Sequence, residues 1–241
     1  MADFRTHMTV STIAGAAYGF AGYRVGVPWE TCAIAGSLCS ISGMLPDLDS
    51  DSGIPLREAI GFASALVPML MVERLHRMGL NFESMVLVAG VIYLFIRFGL
   101  AEIFRRYTVH RGMWHSIPAG LIVGMFSFLI CSSEDISIRL FKTAAVVLGF
   151  ASHLLIDEIW SIEFKKGRYQ FKSSFGTALK LWGDNRFANV TTYTILLILS
   201  FLVYNDEGFM KRFGYKQTEV PHTAVQLFNQ IRTESEKWLK R

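Results

Sequence analysis

Seven stretches without a charged residue divide the chain, each bounded by charged residues or histidine: Met8–Tyr23, Thr31–Pro46, Ala59–Val72, Ser84–Ile96, Ser116–Ser133, Thr143–Ile156 and Phe187–Asn205. Hydrocarbon admits a chain only where each segment satisfies its own backbone hydrogen bonds, so repeated runs of this kind predict helices in a bilayer. The last run, at 19 residues, is the clearest single span, since about 20 apolar residues cross a bilayer core. Ala59–Val72 and Ser84–Ile96, at 14 and 13, fall short unless charged residues at their ends snorkel outward. A hydrophobic content of 51% and a mean hydropathy of +0.34 exclude an ordinary soluble domain. The net charge of +4 comes without any run of five basic residues. That pattern argues against a nucleic-acid surface and leaves anionic headgroups or phosphate compounds as partners.

The expected architecture is all-α, a polytopic membrane bundle of six to seven apolar helices. Residues 1–206 form the membrane-embedded domain and residues 207–241 a polar, partly amphipathic C-terminal tail. No cleavable leader is expected, because Arg5 and His7 precede a small-residue run that has no clear cleavage site. Cys32, Cys39 and Cys131 are odd in number and lack metal-type spacing, so they read as small core residues.

If each of the first six runs crosses or re-enters once, His7, Asp47, Asp49, His110, His115, His153 and Asp157 reach one face of the membrane. The cationic residues share the bias. Arg5, Arg57, Arg105, Arg106, Arg111 and the six Lys or Arg between Glu163 and Arg186 lie on that face, against Arg24, Arg74, Arg77 and Arg139 opposite. By the positive-inside rule the shared face is cytoplasmic, and an odd seventh span sends the tail to the other side.

Each polar motif has two readings. His153 and Asp157, four apart on a helix, either chelate a cation or form a hydrogen-bonded pair at a helix end. Asp47 and Asp49 follow Pro46 in what reads as an extended loop, where alternate residues point the same way toward one site. The bland alternative is a capping turn. His110 and His115 are five apart and share no helical face, so a loop through Gly112 presents one and a helix start capped by Ser116 the other. Interfacial histidines without a ligand are the alternative there.

Taken together, Thr6-His7, Leu45-Pro-Asp-Leu-Asp49, His110-Arg-Gly-Met-Trp-His-Ser116 and Ser152-His-Leu-Leu-Ile-Asp157 resemble, in order, four motifs of the YdjM-type family of inner-membrane metal-dependent hydrolases. The likeness spans residues 1 to about 160. Trp114 departs from it, standing where a small polar residue is usual, and the stretch from Glu163 to Lys180 with the seventh run looks like an extension. A more distant likeness, on the helical frame and the His-x-x-x-Asp pair, is to zinc-dependent phospholipase C and P1-type nucleases. The resemblance implies a multi-pass protein of the inner membrane and a hydrolase with a bound metal.

The chemistry of the residues points the same way. Imidazole and carboxylate ligands without thiolate suit zinc foremost, with manganese or magnesium as alternatives, and up to seven ligands suit one or two ions. The expected metal ligands are His7, Asp47, Asp49, His110, His115, His153 and Asp157. The expected reaction is phosphoester cleavage by a metal-activated water, on a small-molecule or lipid substrate, with Asp49 or Asp157 as base. Arg111 holds the phosphate, because its planar fork binds two oxygens at once. Two rivals remain: an ion or proton carrier using the same cluster, and a scaffold locked by it. A carrier would distribute ionisable groups through the depth of its helices, whereas here they gather at the ends on one side.

Overall fold

The computed structural model describes residues 3–49, 54–100, 102, 113–165, 168–172 and 175–213. Helices dominate: α1 (Phe4–Arg24), α2 (Trp29–Ser42), a 3-10 turn (Leu45–Asp49), α3 (Ile54–Arg77) and α4 (Phe82–Leu94), which continues as π-helix through Phe95–Leu100. Then come α5 (Ile117–Ile130), α6 (Ile136–Trp160), a hairpin of β1 (Ile162–Lys165) and β2 (Arg168–Phe171), α7 (Arg186–Tyr204) and the short α8 (Glu207–Phe213).

Among the described residues four helices are long and apolar enough to cross a membrane: Leu56–Arg77, Phe82–Leu100, Ile136–Trp160 and Arg186–Tyr204. The third and fourth apolar runs are therefore cores of longer helices. Charged ends such as Glu58, Glu73 and Arg74 extend α3 without breaking it, since long polar side chains reach past the apolar zone. Helix α4 buries no residue, and its Phe82, Leu87, Val91 and Leu94 are exposed, as lipid-facing side chains should be.

The centre is a close trio of α1, α2 and α6. Its buried stripe on α1 is His7, Ser11, Gly15, Gly19 and Gly22, repeating at the helical period. A Cβ at Gly15 would lie 2.4 Å from the carbonyl oxygen of Gly36, and one at Gly149 would lie 2.0 Å from that of Cys39. Only glycine permits these approaches, which are the usual device for packing helices where lipid removes the hydrophobic drive. All three cysteines are buried and free, as expected of core residues.

The frame is mostly helical, and it adds a hairpin in which β1 and β2 pair antiparallel with Ile162 opposite Phe171 and Lys165 opposite Arg168. The signal was present: Ile-Glu-Phe-Lys and Arg-Tyr-Gln-Phe alternate with a period of two. One expectation is corrected. The segment after Pro46 is not extended but a 3-10 turn. At three residues per turn, positions 47 and 49 fall on different sides of it, so alternation no longer brings the two acidic positions together.

Candidate metal centre

One buried cluster collects side chains from four separate elements. His7 comes from the first turns of α1, Asp47 from the 3-10 turn, His115 from the turn before α5, and His153 with Asp157 from the end of α6. The helical period explains the contributions of α1 and α6. His7 continues the glycine stripe four residues before Ser11, and His153 and Asp157 continue the buried stripe of Ala145, Val146, Gly149 and Phe150. His115 is placed by local capping. Ser116 accepts the N–H of Ala119 at 3.3 Å and donates to the carbonyl of Met113 at 2.5 Å, which turns the chain sharply into α5.

Trp114 has a defined part in this arrangement. Its Nε1–H donates to the carbonyl of Leu45 at 2.5 Å, and its ring packs beside Met44 and Ala59. Trp114 thus ties the turn bearing His115 to the turn bearing Asp47.

Within the cluster His7 Nε2 lies 3.1 Å from Asp157 Oδ1 and His115 Nε2 lies 3.4 Å from Asp47 Oδ1. His153 Nε2 faces both carboxylates, 3.5 Å from Asp47 and 3.7 Å from Asp157. The His7 and His153 rings stack with centroids 3.6 Å apart, and His115 meets His153 edge-on at 5.6 Å. His7, His115 and His153 are at most 3% exposed.

The proton on His153 can be placed. Its Nδ1 is 2.7 Å from the carbonyl oxygen of Gly43, and a carbonyl only accepts, so Nδ1 donates. Its Nε2 therefore presents a lone pair toward the two carboxylates and makes no hydrogen bond among the described residues. A metal-ligating imidazole has this second-shell arrangement. His7 Nδ1 is likewise buried without a hydrogen bond among the described residues. A buried polar atom left bare costs about 1–3 kcal/mol, and a bound group at the cluster would relieve that cost. Burial works against a charge on Asp47, but the hydrogen bond from His115 and the nearby imidazoles of His153, His115 and His7 outweigh it. Its carboxyl is held below the usual range.

Two overlapping triads, His7–Asp47–His153 and His115–His153–Asp157, each have their ligand atoms within 4.8 Å of one another. The four nitrogen–oxygen separations of 3.1 to 3.7 Å bracket the roughly 3.4 Å edge of a tetrahedron with bonds of about 2.1 Å. The donor set fits a divalent ion. His153 has one lone pair to give, so it would serve one ion only, beside the carboxylates of Asp47 and Asp157.

Of the seven expected ligands, His7, Asp47, His115, His153 and Asp157 come together. Asp49 is placed by its backbone in the 3-10 turn, and its side chain lies outside the described residues, as do His110 and Arg111. Sequence reading missed the carbonyl of Gly43, which no residue-type signal announces, since any residue carries that group.

The far end of α6 holds a second buried polar cluster. Arg139, 3% exposed, donates to Asp206 Oδ1 at 2.7 Å and Oδ2 at 2.9 Å, and to the carbonyls of Cys131 at 3.0 Å and Phe128 at 3.1 Å. Its guanidinium also lies 4.1 Å from the centre of the Phe128 ring, and Arg74 approaches Asp206 at 3.4 Å. Arg74 and Arg139 thus share one end, with Asp206 delivered there by α7.

Residues 1–206 match the family described as YdjM inner membrane protein. No curated protein and no solved structure matches the chain.

Proposed function

The chain belongs to the YdjM inner membrane protein family, and from that premise we propose that it is a membrane-bound, metal-dependent hydrolase of phosphoesters. In this proposal His7, Asp47, His115, His153 and Asp157 hold the metal, and His110 and Asp49, whose side chains lie outside the described residues, are the further candidates. The observation that carries the reading is the bare Nε2 of His153, fixed by Gly43 and aimed at two carboxylates within 3.7 Å. A bound divalent ion supplies there an acidified water and a Lewis acid for a phosphoryl oxygen.

The chain's own residues do the rest. Asp157, beside His7 at 3.1 Å, would also accept the proton released by the attacking water, a role that Asp49 shares as the alternative base. Burial of the three imidazoles keeps bulk water from competing. Arg111 holds the phosphate, so Arg111→Lys should keep the metal while turnover falls about tenfold to a thousandfold, the scale of a lost transition-state contact.

The carrier reading finds less support. Along α6, the ten residues from Thr143 to Ser152 carry no ionisable side chain, so the helix that bears both polar clusters gives no proton path between them. The site's face is proposed as cytoplasmic, and the tail as external. Cysteine labelling of Ser50→Cys and Ser173→Cys in intact cells should fail unless the membrane is opened.

Metal analysis of detergent-purified protein tests the central reading, followed by assay of phosphoester cleavage with and without chelator. At least one zinc, manganese or magnesium ion per chain and chelator-sensitive cleavage are expected. Protein that retains no metal after gentle purification, and binds none on addition, would overturn it.

A further inference from the structure

A cavity of about 800 Å³ runs between α1, α2 and α3. It exists because α1 and α2 pack tightly on each other while α3 meets α2 over a short length only. Gly15, Ala16, Gly19, Ala33 and Gly36 make its floor shallow, and Phe62, Leu66 and Met69 of α3 form the opposite wall. That wall belongs to the membrane-crossing part of α3, so the cavity lies at bilayer depth. Met69 and Phe20 are 70% and 62% exposed, which leaves the groove open sideways toward lipid.

The lining asks for nothing polar. Thr12 Oγ1 donates to its own helix at Met8 O, 2.7 Å away, and lies 2.6 Å from Ser40 Oγ, while Ser37 Oγ donates to Ala33 O at 3.0 Å. The Thr12 and Ser37 protons are already given to backbone carbonyls and most of the remaining lining is apolar, so the complementary occupant is mainly hydrocarbon. Its two ends differ. One is marked by Tyr23 and Trp29, aromatic residues of the kind that sit at a bilayer surface. The other is formed by Met8 and Met44. Met8 follows His7 directly, and Met44 follows Gly43, whose carbonyl orients His153. From Met8 to Tyr23 the helix rises about 22 Å, against about 15 Å for half the hydrocarbon core, so the groove accommodates a full membrane-lipid chain.

We infer that the groove between α1, α2 and α3 holds the long hydrocarbon chain of a lipid phosphoester whose head lies at the His/Asp cluster. The inference rests on the hydrolase reading for its substrate class, whereas occupancy of the groove stands without it. The lipid enters sideways from the bilayer past Phe20 and Met69. The chain lies along the glycine floor, and the phosphate lies at the Met8 and Met44 end, beside the His/Asp cluster, rather than at the Tyr23 and Trp29 end with Arg24 and Glu30.

The test uses the full chain in vesicles of phosphatidylethanolamine and phosphatidylglycerol, with a lysophosphatidate carrying a photoreactive group in a long acyl chain as probe. Crosslinked peptides are mapped by mass spectrometry, and metal content is measured on the same samples. Crosslinks should concentrate on residues 8–44 and 62–69. Ala33→Trp and Ser37→Phe, which fill the groove from exposed positions, should reduce them at least about tenfold. Ala17→Trp, on α1 but outside the lining, should leave them unchanged. Crosslinks spread as densely over α4 and α7 as over the groove would mean bulk bilayer lipid only and would overturn the inference. So would crosslinks in the groove that both filling variants leave intact. Loss of metal from wild-type protein with groove labelling intact would sink the hydrolase reading and leave the lipid site standing.

Discussion

Helix α6 carries a buried polar cluster at each end, about 27 Å apart between Arg139 and Asp157, and the two are built on opposite principles. At the Arg139 end the accounting closes: a bidentate carboxylate, two carbonyls and an aromatic face occupy the guanidinium. At the His153 end one ring nitrogen is used up by Gly43 while the other faces two carboxylates without a hydrogen bond. Both clusters are costly to bury. A cluster whose charges are paired within the protein holds the fold together, and one that leaves a lone pair facing two carboxylates would be completed by the proposed metal.

Substitutions at the two ends should therefore separate cleanly. The largest effect expected is on metal content: His153→Ala should reduce it to background, while the bundle, packed by glycine and apolar contacts elsewhere, remains folded by circular dichroism. Full metal occupancy in that variant would erase the distinction. Next in size, Asp206→Ala strands a buried guanidinium and should cost about 3–5 kcal/mol of stability in detergent unfolding, with metal content per folded chain unchanged. A loss of metal in proportion to stability would mean that the two ends are one cooperative unit.

A smaller effect concerns acid. Burial raises the Asp206 carboxyl, but the hydrogen bonds and charge of Arg139 more than offset this, so it titrates below its ordinary value. A carboxyl lowered on folding contributes its stability in full above the unfolded value near pH 4 and loses it as pH falls through the lowered one. Wild-type protein should thus lose more thermal stability between pH 5 and 3 than Asp206→Asn, which has no such proton to take up. The smallest effect is expected of Trp114→Phe. It keeps the ring but removes the donor to Leu45, and should lower stability by about 0.5–1.5 kcal/mol. If metal affinity falls as well, the turn bearing His115 is held in place by that bond.

Much of this frame was legible in the chain. Uncharged runs mark where helices lie, and counting their crossings puts His7, Asp47, His115, His153 and Asp157 at one end and Arg74 with Arg139 at the other. What escaped reading was local geometry. The acidic segment after Pro46 looks extended because proline and aspartate suit a loop, yet the helical tendency of a short Leu-Pro-Asp-Leu-Asp run closes a 3-10 turn. The hairpin after α6 is written in the alternation of Ile162, Phe164, Tyr169 and Phe171 with polar residues, but each strand is only four residues long, too short to stand out within a basic stretch. The Gly43 carbonyl and the Asp206 partnership with Arg139 depend on contacts across 110 and 67 positions of chain. No local pattern encodes such pairings.

That last separation bears on how the protein is made. Arg139 enters the membrane with α6, but its carboxylate partner is synthesised 67 residues later, after α7. Until then the guanidinium must stay at the headgroups or in water, because hydrocarbon does not tolerate it unpaired. The Arg139 end of α6 completes its buried contacts only once Asp206, beyond α7, is in place. A chain that ends before Asp206 would leave the Arg139 guanidinium without its carboxylate partner.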